Sequence, residues 1–481
     1  MIYGMGTIVP RMLNYALLTP FYTRIFPVES GEYGMVTELY AYMAILLILL
    51  TYGMETAFFR FTTSKKSQVK FVFNTAVSAL LTTSLSFLAL VLLLSGGIAD
   101  VLHYSDHREY IIMFSLIVAI DAFTAIPFAK LRIENRVFRF AMIKMVNVVV
   151  IVVVAFSFLY FIPNILAKNP DSILKHIYNE NMRVGYVFIA NLCGTLVSLL
   201  LLIPNLKEAR LKIDFVLLKK MLVYSLPLLL AGLAGVIIES FDKISIKFLL
   251  ADTTTGLQAL SVYAANYKIA VLMGLFIQMF RYAAEPFFFS KAKDKNAKEL
   301  YARIMNYFVL FCLIIFLGIS LNIDIFKYLI DQNYTAGISI VPIILLSYVF
   351  MGIFVNLSIW YKLNDITRYG AVLTFIGAII TLVINIKYVP SHGYIASAWA
   401  HFFSYLIMII VSYFWGRKIY PVKYNVGKIF IYFSLAIGIY LLGRINPFQD
   451  KLVYLMINNL MILMFVTLIY FKEVKGKLND I

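Results

Sequence analysis

Apolar and polar positions in this chain alternate in long blocks rather than residue by residue. Predominantly apolar runs of about 20 residues recur from one end to the other, separated by short polar stretches. About 20 residues is the length a helix needs to cross ~30 Å of hydrocarbon. The pattern predicts fourteen spans, at roughly 2–24, 33–61, 69–96, 109–131, 138–162, 183–204, 221–249, 259–290, 300–322, 338–361, 368–387, 392–416, 426–443 and 452–471. Their continuity excludes a β-barrel, whose strands alternate between lipid- and lumen-facing residues. The longest interruption, at 162–183, has room for one short surface helix and none for a soluble domain.

Composition strengthens this picture. Of 481 residues, 62% are hydrophobic and 14% are charged, and mean hydropathy is +0.86. The fold class is therefore all-α and polytopic. Cys193 and Cys312 both lie inside apolar blocks, so neither a disulfide framework nor a cysteine metal site is expected. His103 and His107 are four residues apart, but in a short polar loop that reads as solvated; no metal site is expected.

The net charge of +17 has to be divided between loops and spans. If the N-terminus is cytoplasmic, the loops on that side hold 26 lysines and arginines and the alternating ones hold 9. The positive-inside rule then places both termini in the cytoplasm. Lys65, Lys66, Arg132, Lys362 and Lys477 all count among the cytoplasmic charges. So distributed, the charge faces anionic lipid and argues for no nucleic-acid partner.

Seven basic residues remain inside spans: Arg11, Arg60, Lys144, Lys243, Lys247, Lys268 and Arg281. The acidic residues there are Glu38, Glu55, Asp121, Glu239, Asp242 and Glu285. Such charges are costly in hydrocarbon and face a bundle interior or a wet cavity. They fall mainly in spans one, two, seven and eight. These spans are also related to each other by a shift of 230 residues. Tyr33 meets Tyr263, Met43 meets Met273, Tyr52 meets Tyr282, Glu55 meets Glu285, and Phe58 and Phe59 meet Phe288 and Phe289. An even separation of six spans makes the repeat parallel. The domains expected are a six-helix lobe at 1–205, a second at 206–420, and two further helices with a short tail at 421–481.

Two lobes facing a polar cleft give the layout of an alternating-access transporter. In IIESFDKISIK, Glu239, Lys243 and Lys247 share one stripe with Asp242 beside it; Lys247 has no carboxylate left on that stripe. Arg11, Lys243, Lys247, Lys268 and Arg281 are the candidate substrate-binding cations, a set suited to phosphate. Glu55, Asp121, Glu239, Asp242 and Glu285 are the candidate gating or ion-coupling groups. Arg281 and Glu285, four apart, are placed to neutralise each other, and Lys144 to neutralise Asp121. Tyrosines on the repeat helices, Tyr33, Tyr40, Tyr52, Tyr263, Tyr267 and Tyr282, are candidates to stack on sugar rings.

The segments TPFYTRIFPVESGEYGMV (19–36), YGMETAFFRF (52–61), SLPLLLAGLAGVIIESFDKISIKFLL (225–250) and VYAANYKIA (262–270) resemble the polysaccharide-transport branch of the multidrug/oligosaccharidyl-lipid/polysaccharide flippase superfamily. The resemblance covers essentially the whole chain. It implies a flippase, not an enzyme, that moves an undecaprenyl-diphosphate-linked oligosaccharide across the bacterial inner membrane. It implies two lobes around a cationic cavity and energy from a proton or Na⁺ gradient, with no other cofactor. The partners it implies are the lipid-linked substrate, membrane lipids, and polysaccharide polymerase or export machinery. One departure is the start: a basic stretch usually precedes the first helix in that family, whereas span one begins at Met1. The true start is then upstream, or the chain is shortened.

Two alternatives compete. A cation-coupled multidrug exporter of the same superfamily needs a net acidic cleft, and the surplus here is basic. A membrane glycan polymerase or ligase needs a large extramembrane loop with catalytic carboxylates; the longest loop offers Asp171 and Glu180. No Walker motif is present, so ATP coupling within the chain is not expected.

Overall fold

A computed structural model describes residues 2–63, 69–207, 209–445 and 450–475. Met1, Lys65, Lys66 and Lys477, which entered the reading of the chain start and the loop charges, lie outside the described residues. The helices are α1 (Ile2–Ile25), α2 (Glu32–Thr51), α3 (Met54–Thr63), α4 (Val69–Val101), α5 (Arg108–Ile133), α6 (Val137–Phe156), α7 (Ile162–Lys168), α8 (Arg183–Leu206) and α9 (Phe215–Leu249). They continue as α10 (Thr253–Lys291), α11 (Ala297–Leu321), α12 (Ile323–Phe326), α13 (Val341–Leu357), α14 (Ile359–Leu363), α15 (Arg368–His392), α16 (Tyr394–Ile419), α17 (Val426–Arg444) and α18 (Lys451–Tyr470). No strand occurs among the described residues. Thirteen helical segments among them are long and apolar enough to cross a membrane. The expected span 2–24 is outside that set: α1 is a 24-residue helix, but it carries Arg11, Asn14 and Arg24.

The structure differs from the expected spans in three places, each for a local reason. The second span is two helices, because Tyr52 (φ 33°) and Gly53 (φ 70°) leave the right-handed region. A Cβ at Gly53 would sit 3.0 Å from the Ser225 carbonyl oxygen, so the break also lets α9 approach this backbone. The fifth span runs on through a π-helical turn, Ser157–Phe161, into α7, leaving two short 3₁₀ turns in a smaller loop than expected. The tenth span divides at Ser358 into α13 and α14. Pro10, Pro20, Pro127, Pro227 and Pro286 lie inside helices, whereas Pro342 occupies the first turn of α13, where its missing N–H costs nothing.

The chain divides into two compact units. Unit one takes in the residues up to Ala264 together with Thr381–Ser397; unit two takes in Ala265–Ile380 and the residues from Ala398 onward. In unit one, α4 and α8 flank α5, α1 and α8 pack on α6, and α9 lies along α2. One of its apolar clusters joins Met54 and Phe58 of α3 to Phe73, Val77 and Leu80 of α4, Ile126 of α5 and Met221 of α9. In unit two, α13, α17 and α18 pack on α11. α18 is held there by amides: Asn322 and Asn459 exchange hydrogen bonds of 3.3 and 3.0 Å, and Asn458 donates to the Leu321 carbonyl at 2.8 Å.

Candidate functional site

Unit one carries a buried ionic ladder on the last two turns of α9. Lys247 projects toward α2, where its ammonium meets Glu38 at 2.8 Å, and both side chains are fully buried. The same ammonium donates to the Leu102 carbonyl at 2.6 Å and lies 3.9 Å from the centre of the Tyr104 ring. The second oxygen of Glu38 accepts from Tyr42, one turn along α2, at 2.9 Å, and Tyr104 donates to the first. Burial, then the Glu38 carboxylate, pushes the Tyr104 phenol well above its ordinary range, so it remains a donor. The carboxylate that Lys247 lacks on its own stripe is supplied by another helix, from a residue 209 positions away. Removing one member of a buried pair costs roughly 3–5 kcal/mol. The pair acts as an anchor between α9, α2 and the turn after α4.

One turn earlier, Asp242 is fully buried and Lys243 is mostly so. Lys243 donates to Asp242 at 3.0 Å and to the Glu239 carbonyl at 2.6 Å. Asp242 and Glu38 are thus carboxylates bound to Lys243 and Lys247. Asp242 also accepts from Tyr263 at 2.5 Å. Next to it, Ser245 and Ser397 both donate to the Asn385 side-chain oxygen, at 3.1 and 2.6 Å. These bonds fasten α15 and the start of α16 to α9 within unit one.

A second polar group lies among α1, α5, α6 and α8. Asp121 accepts from Thr195 at 3.3 Å. Lys144, Arg11 and Arg132 share its electrostatic neighbourhood. Lys144 also caps the Phe128 ring at 4.0 Å. The expected Asp121–Lys144 relationship is thus a through-space one.

The two repeat glutamates have matching partners. Glu55 on α3 pairs with Arg132, the penultimate residue of α5. Glu285 on α10 pairs with Lys362 of α14 at 2.6 Å; this is not the Arg281 that the spacing offered. Arg132 and Lys362 are themselves 230 residues apart, as are their glutamates. The likeness continues into the backbone. Arg136 N–H bonds to Leu131 O and Asn135 N–H to Arg132 O; Ile366 N–H bonds to Tyr361 O and Asp365 N–H to Lys362 O. Each set forms a Schellman motif, with Asn135 and Asp365 left-handed at φ 55°. Both pairs are about one-third exposed. Sequence reading had counted Arg132 and Lys362 only as loop charges; carrying the 230-residue shift past the glutamates would have found them.

In unit two, Lys268 is half-buried on α10, and Arg281 is exposed with its guanidinium 5.8 Å from the Tyr282 ring centre. Of the tyrosines proposed for sugars, Tyr33, Tyr263 and Tyr267 are buried. Tyr263 gives its hydroxyl to Asp242, and Tyr267 accepts from Tyr348 at 2.8 Å. Tyr40 and Tyr52 are half-buried, and Tyr282 is exposed. No group of three or more histidines, cysteines or acids that could hold a metal ion occurs among the described residues.

A family model described as "Polysaccharide biosynthesis protein" matches residues 28–326. Among solved structures, the chain is similar to "Lipid II flippase MurJ, inward closed conformation", with a TM-score of 0.72 and 15% identity, over 97% of this chain and 98% of that one. It is similar to the inward-facing form of a multidrug resistance MATE family transporter of the MOP superfamily at TM-score 0.62 and 15% identity, over 87% of this chain and 95% of that one. The outward-facing form gives 0.63 and 15%, over 88% and 96%. No curated protein matches the sequence. The resemblance read from the sequence is borne out, and the fold is that of these transporters.

Proposed function

Because the chain belongs to the polysaccharide biosynthesis protein family, we propose that it is a flippase for a lipid-linked oligosaccharide, carried on undecaprenyl diphosphate across the bacterial inner membrane. The observation that carries this reading is the family match together with a fold shared, over nearly its whole length, with a protein described as a lipid II flippase. Both termini are cytoplasmic in this reading, and transport proceeds by alternating access.

Arg11 and Lys243 within unit one, and Lys268 and Arg281 within unit two, are each assigned as phosphate-binding cations, since phosphate suits arginine and lysine. Lys247 is left out of that set, because it is fully buried against Glu38, whereas Lys243 keeps part of its surface beside Asp242. Asp121, Glu239 and Asp242 are assigned to ion coupling by a proton or Na⁺. Glu55, in the first turn of α3, and Glu285, in the last two turns of α10, are assigned to the gate, on which they act through their ties to Arg132 and Lys362.

The test is made in a deletion strain of the native host. Lipid-linked oligosaccharides are extracted, and their leaflet is read with an impermeant glycosidase on spheroplasts. Accumulation of a complete, protected repeat unit is expected. A normal, accessible pool with unchanged surface glycan overturns the reading. In the complemented strain, Lys243→Gln, Lys268→Gln and Arg281→Gln are expected to reduce export at normal protein level; full activity in all three removes the cation assignment.

A further inference from the structure

Within unit two, the N-terminal half of α11, the segment before α17 with the first turn of α17, and the π-helical turn after α18 (Phe471–Lys475) enclose an open cavity of about 250 Å³. Its lining includes Arg303, Lys423, Lys428, Glu299, Glu473 and Asn306. Three cations against two carboxylates leave it net positive. Lys428 is engaged by the buried Glu473, which Tyr432 also bonds. Arg303 and Lys423 are exposed and make no ion pair among the described residues. α17 adds the positive end of its dipole; Asn425 caps it by accepting from the Lys428 N–H at 3.1 Å. The side-chain oxygen of Asn306 is buried and has no hydrogen-bond donor among the described residues.

These features define the ligand. Two unengaged cations beside a helix N-terminus call for a phosphate. A carboxylate at Glu299 and an unmet acceptor at Asn306 call for a hydroxyl or ammonium donor on the same molecule. Phe311 on α11 and Phe430 on α17, the same two helices, are 51% and 70% exposed and offer apolar cover for chains. We propose that this cavity binds the headgroup of a glycerophospholipid, a phosphodiester that also carries a hydrogen-bond donor, in the leaflet that the loop charges assign to the cytoplasm. The site is separate from the residues assigned to the transported substrate, and its test does not depend on export.

The test uses the full chain in nanodiscs of phosphatidylglycerol and phosphatidylcholine. The first headgroup has hydroxyl donors and the second has none. Native mass spectrometry of the released protein counts retained lipid. Wild type is expected to retain phosphatidylglycerol above its share of the disc. Arg303→Gln and Lys423→Gln are each expected to lower retention about fivefold, the equivalent of ~1 kcal/mol per basic residue. Arg303→Lys is expected to keep most of it. Lys293→Gln, on a neighbouring exposed turn, is the control and is expected to change nothing. The Lys423 side chain is itself exposed, so its variant reports binding even where Arg303→Gln folds poorly. Retention unchanged in Lys423→Gln overturns the site. A second arm adds soluble glycerol phosphate or inorganic phosphate in the millimolar range: no displacement of the lipid is expected, and full displacement reassigns the cavity to free phosphate and overturns the lipid source.

Discussion

Residues 52–59 and 282–289 place tyrosine, glutamate and two phenylalanines at the same spacing, 230 residues apart, yet they build different backbones. In the first, Tyr52 and Gly53 turn left-handed and a new helix begins at Met54. In the second, Ala283 and Ala284 stand where Gly53 and Met54 would be, and α10 runs unbroken from Thr253 to Lys291. Pro286 costs that helix one bond without ending it. Both versions nevertheless keep the glutamate–base pair and the left-handed cap that presents the base. The retained element is thus an ionic tie between the end of one helix and the end of another. The hinge beneath it is particular to unit one, where Gly53 meets Ser225.

The largest test of that contrast is Gly53→Ala. The new Cβ meets the Ser225 carbonyl at 3.0 Å at a φ that alanine rarely adopts. A loss of about 2 kcal/mol or more is expected from strain and contact together, read as a lowered thermal midpoint in detergent. The mirror change, Ala283→Gly in the unbroken helix, is expected to cost about half that, ~1 kcal/mol. Equal losses would break the contrast.

Next come the pairs. Arg132→Ala and Lys362→Ala are each expected to cost at most ~1 kcal/mol, because the pairs are partly solvated. The exchange Glu55→Arg with Arg132→Glu is expected to recover part of that loss. A double variant no better than the singles would deny that the pair couples the two helices. A smaller effect separates the bases. Arg132 also faces the Phe59 ring at 4.9 Å and the Phe140 ring at 5.8 Å. Arg132→Lys should therefore cost ~0.5 kcal/mol, whereas Lys362→Arg should be neutral by the same thermal assay. Smallest of all, Asn135→Gly and Asp365→Gly should each stabilise by less than ~0.5 kcal/mol, since glycine holds φ 55° without a Cβ and asparagine and aspartate tolerate it better than other side chains. Destabilisation in either would mean that the side chain, not the backbone, makes the cap.

The spans and the repeat were legible because both are periodic. Blocks of about 20 apolar residues mark helices, and the 230-residue shift marked the paired glutamates. The break at Tyr52–Gly53 was less visible, since apolar character continues across it and its cause is the approach of α9. The partner of Lys247 was hidden for another reason. Helical spacing ranks neighbours on one stripe, whereas Glu38 belongs to a helix more than two hundred residues earlier. Asp242 was placed correctly beside that stripe, but its bond to Tyr263 depends on how the next helix folds back.

The Glu38–Lys247 pair also has a consequence in time. Its members lie 209 residues apart, and at synthesis rates of ~5–20 residues per second that separation lasts roughly 10–40 s. During that interval α2 exists before its cation does. Tyr42, four residues along the same helix, is available at once, and Tyr104 is made 66 residues after Glu38. The two hydroxyls thus precede the lysine in order of synthesis, and the carboxylate can be housed in two steps before α9 arrives to complete the site.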